Sequence, residues 1–157
     1  IGSCAFFHPS RAVTRSEFIA MTAAAADLSV APTDQTDFAD DSGLSAWAKP
    51  YISAAAANGL VSGYATASGV SEIRGEKTIT VAEAGVVLDH LLDGTLSGVQ
   101  YAWSMSDHSP QDWAQPAMSR LERVSVLTSA QAQNPETPLD RRTACEILYR
   151  ALILLDS

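Results

Sequence analysis

The sequence predicts an all-α chain built of tandem repeats, with short extended pieces in its loops. Three observations carry this. Alanine dominates and forms the runs Ala23–Ala26 and Ala54–Ala57, and alanine is the best helix former because it gives up almost no side-chain entropy. No long alternation of apolar and polar residues, the mark of a half-buried strand, occurs anywhere. Two short patterns recur at fixed displacements. Trp47-Ala48-Lys49-Pro50 returns as Trp113-Ala114-Gln115-Pro116, with Asp41 and Asp107 each six residues before the Trp. Val13-Thr14-Arg15-Ser16-Glu17 returns as Ile79-Thr80-Val81-Ala82-Glu83 and as Leu139-Asp140-Arg141-Arg142-Thr143, displaced by 66 and then 60 residues. A period of this size marks a repeat array.

The first helix is predicted over 14–27. Thr14 with Glu17 has the spacing of a capping box, in which the hydroxyl accepts from the backbone N–H three residues on and the Glu reaches back to the cap N–H. The second, over 46–58, places Trp47, Tyr51, Ile52, Ala55 and Ala56 at helical spacing and closes at Asn58-Gly59. Its regular part is expected to begin near Pro50, with the Trp-Ala pair in a lead-in turn, because a proline deep in a helix costs about 3 kcal/mol. The third, over 80–93, opens on the box Thr80/Glu83 and ends before Gly94, a suitable residue just past the last turn. The fourth, over 110–124, carries Trp113, Ala117, Met118, Leu121 and Val124, with Ser109 as cap and Pro110 in its first turn. The fifth, over 140–155, keeps a cap at Asp140 but has Thr143 where the box needs Glu. Ala144, Ile147, Leu148, Ala151, Leu152 and Leu155 form its apolar face. Loops fill 59–78 and the polar stretch Ser129–Pro138, with extended pieces expected near Leu60–Val61, Ile79, Val126–Leu127 and Leu139.

Composition bounds the function. Of 157 residues 46% are hydrophobic and 18% charged, so the chain can bury a core. Asp+Glu 18 against Lys+Arg 10 gives a net charge of -8, which disfavours nucleic acid and anionic membrane surfaces as partners. No apolar run reaches 18 residues, so no membrane insertion is expected. The chain opens at Ile1 without an initiator Met, which reads as a processed product or a fragment. Cys4 and Cys145 could form one bridge; the alternative is a buried, apolar Cys145. His8, His90 and His108 stand alone and do not recur, and no nucleophile, phosphate-loop or metal motif is present, so no catalytic residue, cofactor or metal is assigned. Glu17 and Glu83 are accounted for by capping. Asp37, Asp40 and Asp41 lack the spacing of a calcium loop and read as a solvated acidic turn.

The assembled residues resemble the S-layer homology domain family. Asp37-Phe38-Ala39-Asp40, Trp47-Ala48, Tyr51-Ile52, Gly59-Leu60-Val61-Ser62-Gly63-Tyr64 and Ile79-Thr80-Val81-Ala82-Glu83 follow its order, and Phe7-His8-Pro9 with Val13-Thr14-Arg15-Ser16-Glu17 matches the end of a preceding unit. The third unit keeps Asp107, Trp113-Ala114 and Leu139-Asp140-Arg141 but lacks the G-x-G turn. The resemblance divides the chain into 1–30, the second half of one repeat; 31–97, a second repeat; and 98–157, a divergent third. It implies a pseudo-threefold helical bundle with the Trp-containing helices central and the capped helices outside. It also implies an extracellular, non-catalytic module that anchors a bacterial surface protein to peptidoglycan-linked secondary polymer, holding a pyruvylated glycan in grooves between repeats.

The residues so implied are Arg15 and Arg141 for the ligand carboxylate, with Thr14, Trp47, Gly63 and Trp113 shaping the groove. Arg15 stands one residue past a helix cap, where free backbone N–H groups and the positive helix end would assist it. Trp47 and Trp113 read more readily as core. Val81 stands where the middle unit should carry Arg, which puts any groove depending on it in doubt. The competing reading is a degenerate array, or a secreted fragment of one, that serves as a structural or protein-interaction domain without glycan. The incomplete first repeat predicts exposed apolar surface and self-association.

Overall fold

The computed structural model describes residues 7–99 and 113–157. Among them are six α-helices: α1 (Arg15–Ala25), α2 (Lys49–Ala57), α3 (Val81–Leu91), α4 (Gln115–Arg123), α5 (Ser129–Ala132) and α6 (Arg141–Leu155). The all-α expectation gives way to a mostly helical chain with one small antiparallel sheet, in which β1 (Tyr64–Ala65) pairs with β2 (Ser71–Glu72).

The capping boxes form as the spacing requires. The Thr14 and Thr80 hydroxyls accept from the Glu17 and Glu83 N–H groups, and both glutamates accept from the cap N–H. Asp140 caps α6 through Thr143. The helices α2 and α4 begin at Lys49 and Gln115 with proline next, so the Trp-Ala pairs do sit in the preceding turn. Residues 110–112, and with them Ser109 and Pro110, lie outside the described residues, as do Asp107, His108 and Cys4. The helix α3 ends at Leu91, so its closing turn comes before Gly94 rather than at it.

The short segments ahead of α1, α3 and α6 meet in a closed ring of backbone hydrogen bonds. Val13 N–H donates to the Leu139 carbonyl (3.0 Å), Leu139 to Ile79 (2.9 Å) and Ile79 to Val13 (2.9 Å). All three side chains are buried in the core. The next two donors run round the ring in the opposite sense: Arg15 and Ser16 give to Lys77 and Gly75, Val81 and Ala82 to Thr137 and Pro135, Arg141 and Arg142 to Arg11 and Pro9. Each capped helix thus has its first N–H groups satisfied by the loop of the next unit.

This ring places the capped helices at the centre. α1, α3 and α6 touch one another, while α2 packs on α1 and α4 on α3. The implied order, Trp-containing helices inside, is reversed among the described residues. Side-chain size fits this order: α3 buries Val81, Val87 and Leu88, whereas α2 buries only Ile52 and the small Ala54 and Ala55.

Where the middle unit forms its hairpin, the third unit forms α5. Gly63 has φ +75°, and a Cβ there would stand 2.8 Å from Phe38 Cε1 and 2.9 Å from the Glu72 carbonyl oxygen. Sixty-six residues on stands Ser129. The chain there uses the Thr128/Gln131 box to start a one-turn helix instead.

Candidate functional site

Two grooves bring the implied residues together, and each draws on residues far apart along the chain. The first, about 280 Å³, is lined by Arg15, Gly63, Tyr64, Glu83, His90 and Trp113 among others. The second, about 400 Å³, is lined by Phe7, Glu17, Met21, Trp47, Arg141 and Cys145 among others. They are related by the repeat. Glu83 and Trp113 stand 66 residues after Glu17 and Trp47, and Arg15 and Arg141 hold the same place in the capped helices.

In the first groove Arg15 is almost wholly engaged by the chain. Its Nε donates to the Ile73 carbonyl (2.8 Å) and its Nη1 to the Tyr64 hydroxyl (3.1 Å). The guanidinium lies 3.5 Å from the Glu83 carboxylate and 4.8 Å from the Tyr64 ring centre, a cation–π distance. The Tyr64 hydroxyl in turn donates to Glu83. Burial of Tyr64, with the Glu83 hydrogen bond adding to it, pushes its pKa up to about 12. Only 7% of the Arg15 side chain meets solvent.

The second groove repeats this with looser contacts. Arg141 Nη1 donates to the Phe7 carbonyl (3.0 Å), and Phe7 is the counterpart of Ile73. Its Nη2 lies 3.9 Å from Glu17, whose same oxygen is 3.6 Å from Arg11. Here 26% of the arginine side chain is exposed. The third equivalent position is Val81, which is buried and brings no cation.

Several expectations are corrected. Trp47 and Trp113 are not core: they are 52% and 50% exposed on the groove edges, because the lead-in turn sends Ala48 and Ala114 inward in their place. The helix-start N–H groups beside Arg15 are not free, being taken by Lys77, Gly75 and the Thr14 hydroxyl. Thr14 is committed to the cap. Cys145 is exposed rather than buried. Glu17 and Glu83 do more than cap, since each also faces the groove arginine. The acidic turn is structural rather than merely solvated: Asp40 accepts from the Ile73 and Arg74 N–H groups, and Asp41 pairs with Lys49 at 2.8 Å and with Thr36. Those contacts hold the Asp41 carboxyl below its ordinary value, Lys49 foremost.

His90 was not legible beforehand, because its counterpart in the first unit is Ala24. Its Nδ1 stands 3.1 Å from the Leu60 carbonyl; the carbonyl accepts, so Nδ1 carries the proton. Among the described residues no cluster of His, Cys, Asp and Glu is arranged to hold a metal ion, and no helix is long and apolar enough to cross a membrane.

The S-layer homology domain model matches residues 37–84. That stretch runs from the Asp37-Phe38 turn through α2 and the hairpin into α3, and it contains Trp47, Gly63 and Glu83. The match supports assignment to that family, whose domains are generally non-catalytic, cell-wall anchoring modules of surface-associated proteins. Among curated proteins, none matches the chain.

Proposed function

We propose that the chain is an extracellular cell-wall anchoring module that holds an anionic glycan, of the pyruvylated secondary-polymer class, in grooves between its repeats. The single observation that carries this is the doubling of the site. Two grooves with an arginine, a facing glutamate and an exposed tryptophan recur at equivalent places. An arginine presents directional N–H donors that match a carboxylate, and an exposed indole beside it offers a flat apolar face to a sugar ring. In this reading the units 1–30, 31–97 and 98–157 surround a pseudo-threefold axis, which the backbone ring through Val13, Ile79 and Leu139 supports.

A specific observation favours the competing reading for part of the molecule. Arg15 is nearly buried and gives two of its donors to Ile73 and Tyr64, and Val81 supplies none, so the chain could serve as a structural array there. The discriminating experiment is a sedimentation assay with purified cell walls, before and after chemical removal of the secondary polymer. Binding that is lost with the polymer, and weakened roughly tenfold or more by Arg141→Ala, is expected for loss of a charge-assisted hydrogen bond. Absence of binding, or binding indifferent to polymer removal, overturns the glycan reading.

A further inference from the structure

The repeat shows where α6 is bare. In α3 and the turn that follows it, the line Gly85, Asp89, Asp93 receives α4: a Cβ on Gly85 would stand 3.0 Å from Met118 Sδ, and Arg120 pairs with Asp89 (2.6 Å) and Asp93 (3.5 Å). In α1 the same line begins Ile19, Ala23, both buried on the helix that carries α2. Sixty residues after the α3 line stand Cys145, Tyr149 and Ile153 of α6. Cys145 is exposed, Tyr149 is 66% exposed and Ile153 51%. The opposite side of α6 (Ala144, Ile147, Leu148, Ala151) fills the core. The position that receives a helix twice in this chain is therefore open, and apolar, the third time.

We propose that this stripe of α6 is a twofold contact between two copies of the chain. The stripe is self-complementary. Cys145, Tyr149 and Ile153 are four residues apart, so they lie along one face, and Arg142 and Asp156 extend that face at its two ends. An antiparallel crossing centred on Tyr149 sets Cys145 against Ile153 of the second copy and Arg142 against Asp156 of the second copy. Glu146 and Arg150, themselves 3.9 Å apart, flank the apolar line and come within a turn of the opposite charge across the twofold. Such an isologous contact uses the same patch on both copies, and a single helix face makes it small, hence concentration-dependent. It shares Cys145 with the lining of the second groove and uses neither groove arginine.

The test is sedimentation equilibrium of the intact chain up to about 1 mM, the range a weak contact demands. The weight-average mass is expected to rise from 16.6 kDa toward twice that. Tyr149→Glu should hold it at the monomer value without changing the thermal midpoint, since Tyr149 is exposed. Arg142→Asp should weaken association, and Arg142→Asp with Asp156→Arg should restore it, which a non-specific apolar contact would not do. Alkylation of Cys145, followed by mass spectrometry of its peptide, should slow as concentration rises. A mass that stays at 16.6 kDa, association that survives Tyr149→Glu, or failure of the charge reversal to rescue overturns the proposal. So does slow alkylation in a monomer, which would assign the stripe to another part of the same chain.

Discussion

Replacing Gly63 by alanine separates two costs that are usually confounded. The residue sits at φ +75°, where an L side chain is strained by about 1–2 kcal/mol. It also has no room: the new Cβ would meet Phe38 Cε1 at 2.8 Å and the Glu72 carbonyl oxygen at 2.9 Å. The ring can shift, but the carbonyl belongs to β2 and cannot move without disturbing the hairpin, and overpacking of this kind costs about 1–3 kcal/mol. The sum is about 2–5 kcal/mol, or a fall in thermal midpoint of roughly 4–20 °C for a chain of this size. Gly59 supplies the control. It has φ +73° but nothing within 4 Å of its virtual Cβ, so Gly59→Ala should cost only about 1–2 kcal/mol, the backbone term alone. Urea unfolding of both variants, with unchanged slope, measures the difference. If Gly63→Ala is no worse than Gly59→Ala, the close approach of Phe38 and β2 to this turn is wrong.

Three further outcomes follow from single contacts. The Ser16 hydroxyl is buried without a hydrogen-bond partner among the described residues, so Ser16→Ala should raise stability by about 1 kcal/mol in a urea melt. Asp89→Ala strips the buried partner of Arg120, leaving only the exposed Asp93 at 3.5 Å, and should cost about 2 kcal/mol, most of which Asp89→Ala with Arg120→Met should recover, because an under-paired buried cation is worse than an apolar side chain. Asp140 accepts from the Thr143 N–H with Arg142 near, contacts that lower its pKa below the usual value. A lowered folded value means the stabilisation is present above the unfolded pKa, about 3.9, and is lost as pH falls through the folded one. Asn caps comparably without titrating. The advantage of wild type over Asp140→Asn, measured by thermal melts across pH, should therefore be present at neutral pH and vanish in acid.

The sequence disclosed most where the physics is local. Thr14/Glu17 and Thr80/Glu83 fixed helix starts to within a residue, because a capping box involves only four consecutive positions. Pro50 and Pro116 located the starts of α2 and α4 for the same reason. The Thr128/Gln131 box carried the same signal for α5 and was obscured by the polar residues after it. What stayed hidden is long-range. The ring through Val13, Ile79 and Leu139 is made of backbone groups sixty or more residues apart, which no side-chain pattern announces. The outward placement of Trp47 and Trp113 depends on which member of each Trp-Ala pair the turn sends inward. At the site, the family motif offered both arginines as candidates, but it could not tell that Tyr64 would occupy one of them, nor find His90, which has no counterpart.

The two arginines meet different fates because their glutamates are satisfied differently. In the first groove Glu83 takes the Tyr64 hydroxyl and Arg15, so one cation answers one anion and the tyrosine closes over both. Little of Arg15 is left for an incoming carboxylate to reach, since Nε and Nη1 are committed to the Ile73 carbonyl and the Tyr64 hydroxyl and only 7% of the side chain meets solvent. In the second groove Glu17 lies between Arg11 and Arg141, so two cations face one anion, and Arg141 has one donor committed, to Phe7. A guanidinium has five N–H donors, and a local surplus of positive charge attracts an anion even on a chain of net charge -8. The better-formed family motif, Thr14-Arg15-Ser16-Glu17, therefore supplies the less available cation. In wall binding, Arg141→Ala should lower affinity by roughly tenfold or more, while Tyr64→Phe, which frees Arg15 from the hydroxyl, should leave affinity unchanged or raise it. Equal losses from Arg15→Ala and Arg141→Ala in variants of matched thermal midpoint would refute the asymmetry, since they would require Arg15 to release its internal partners at no cost.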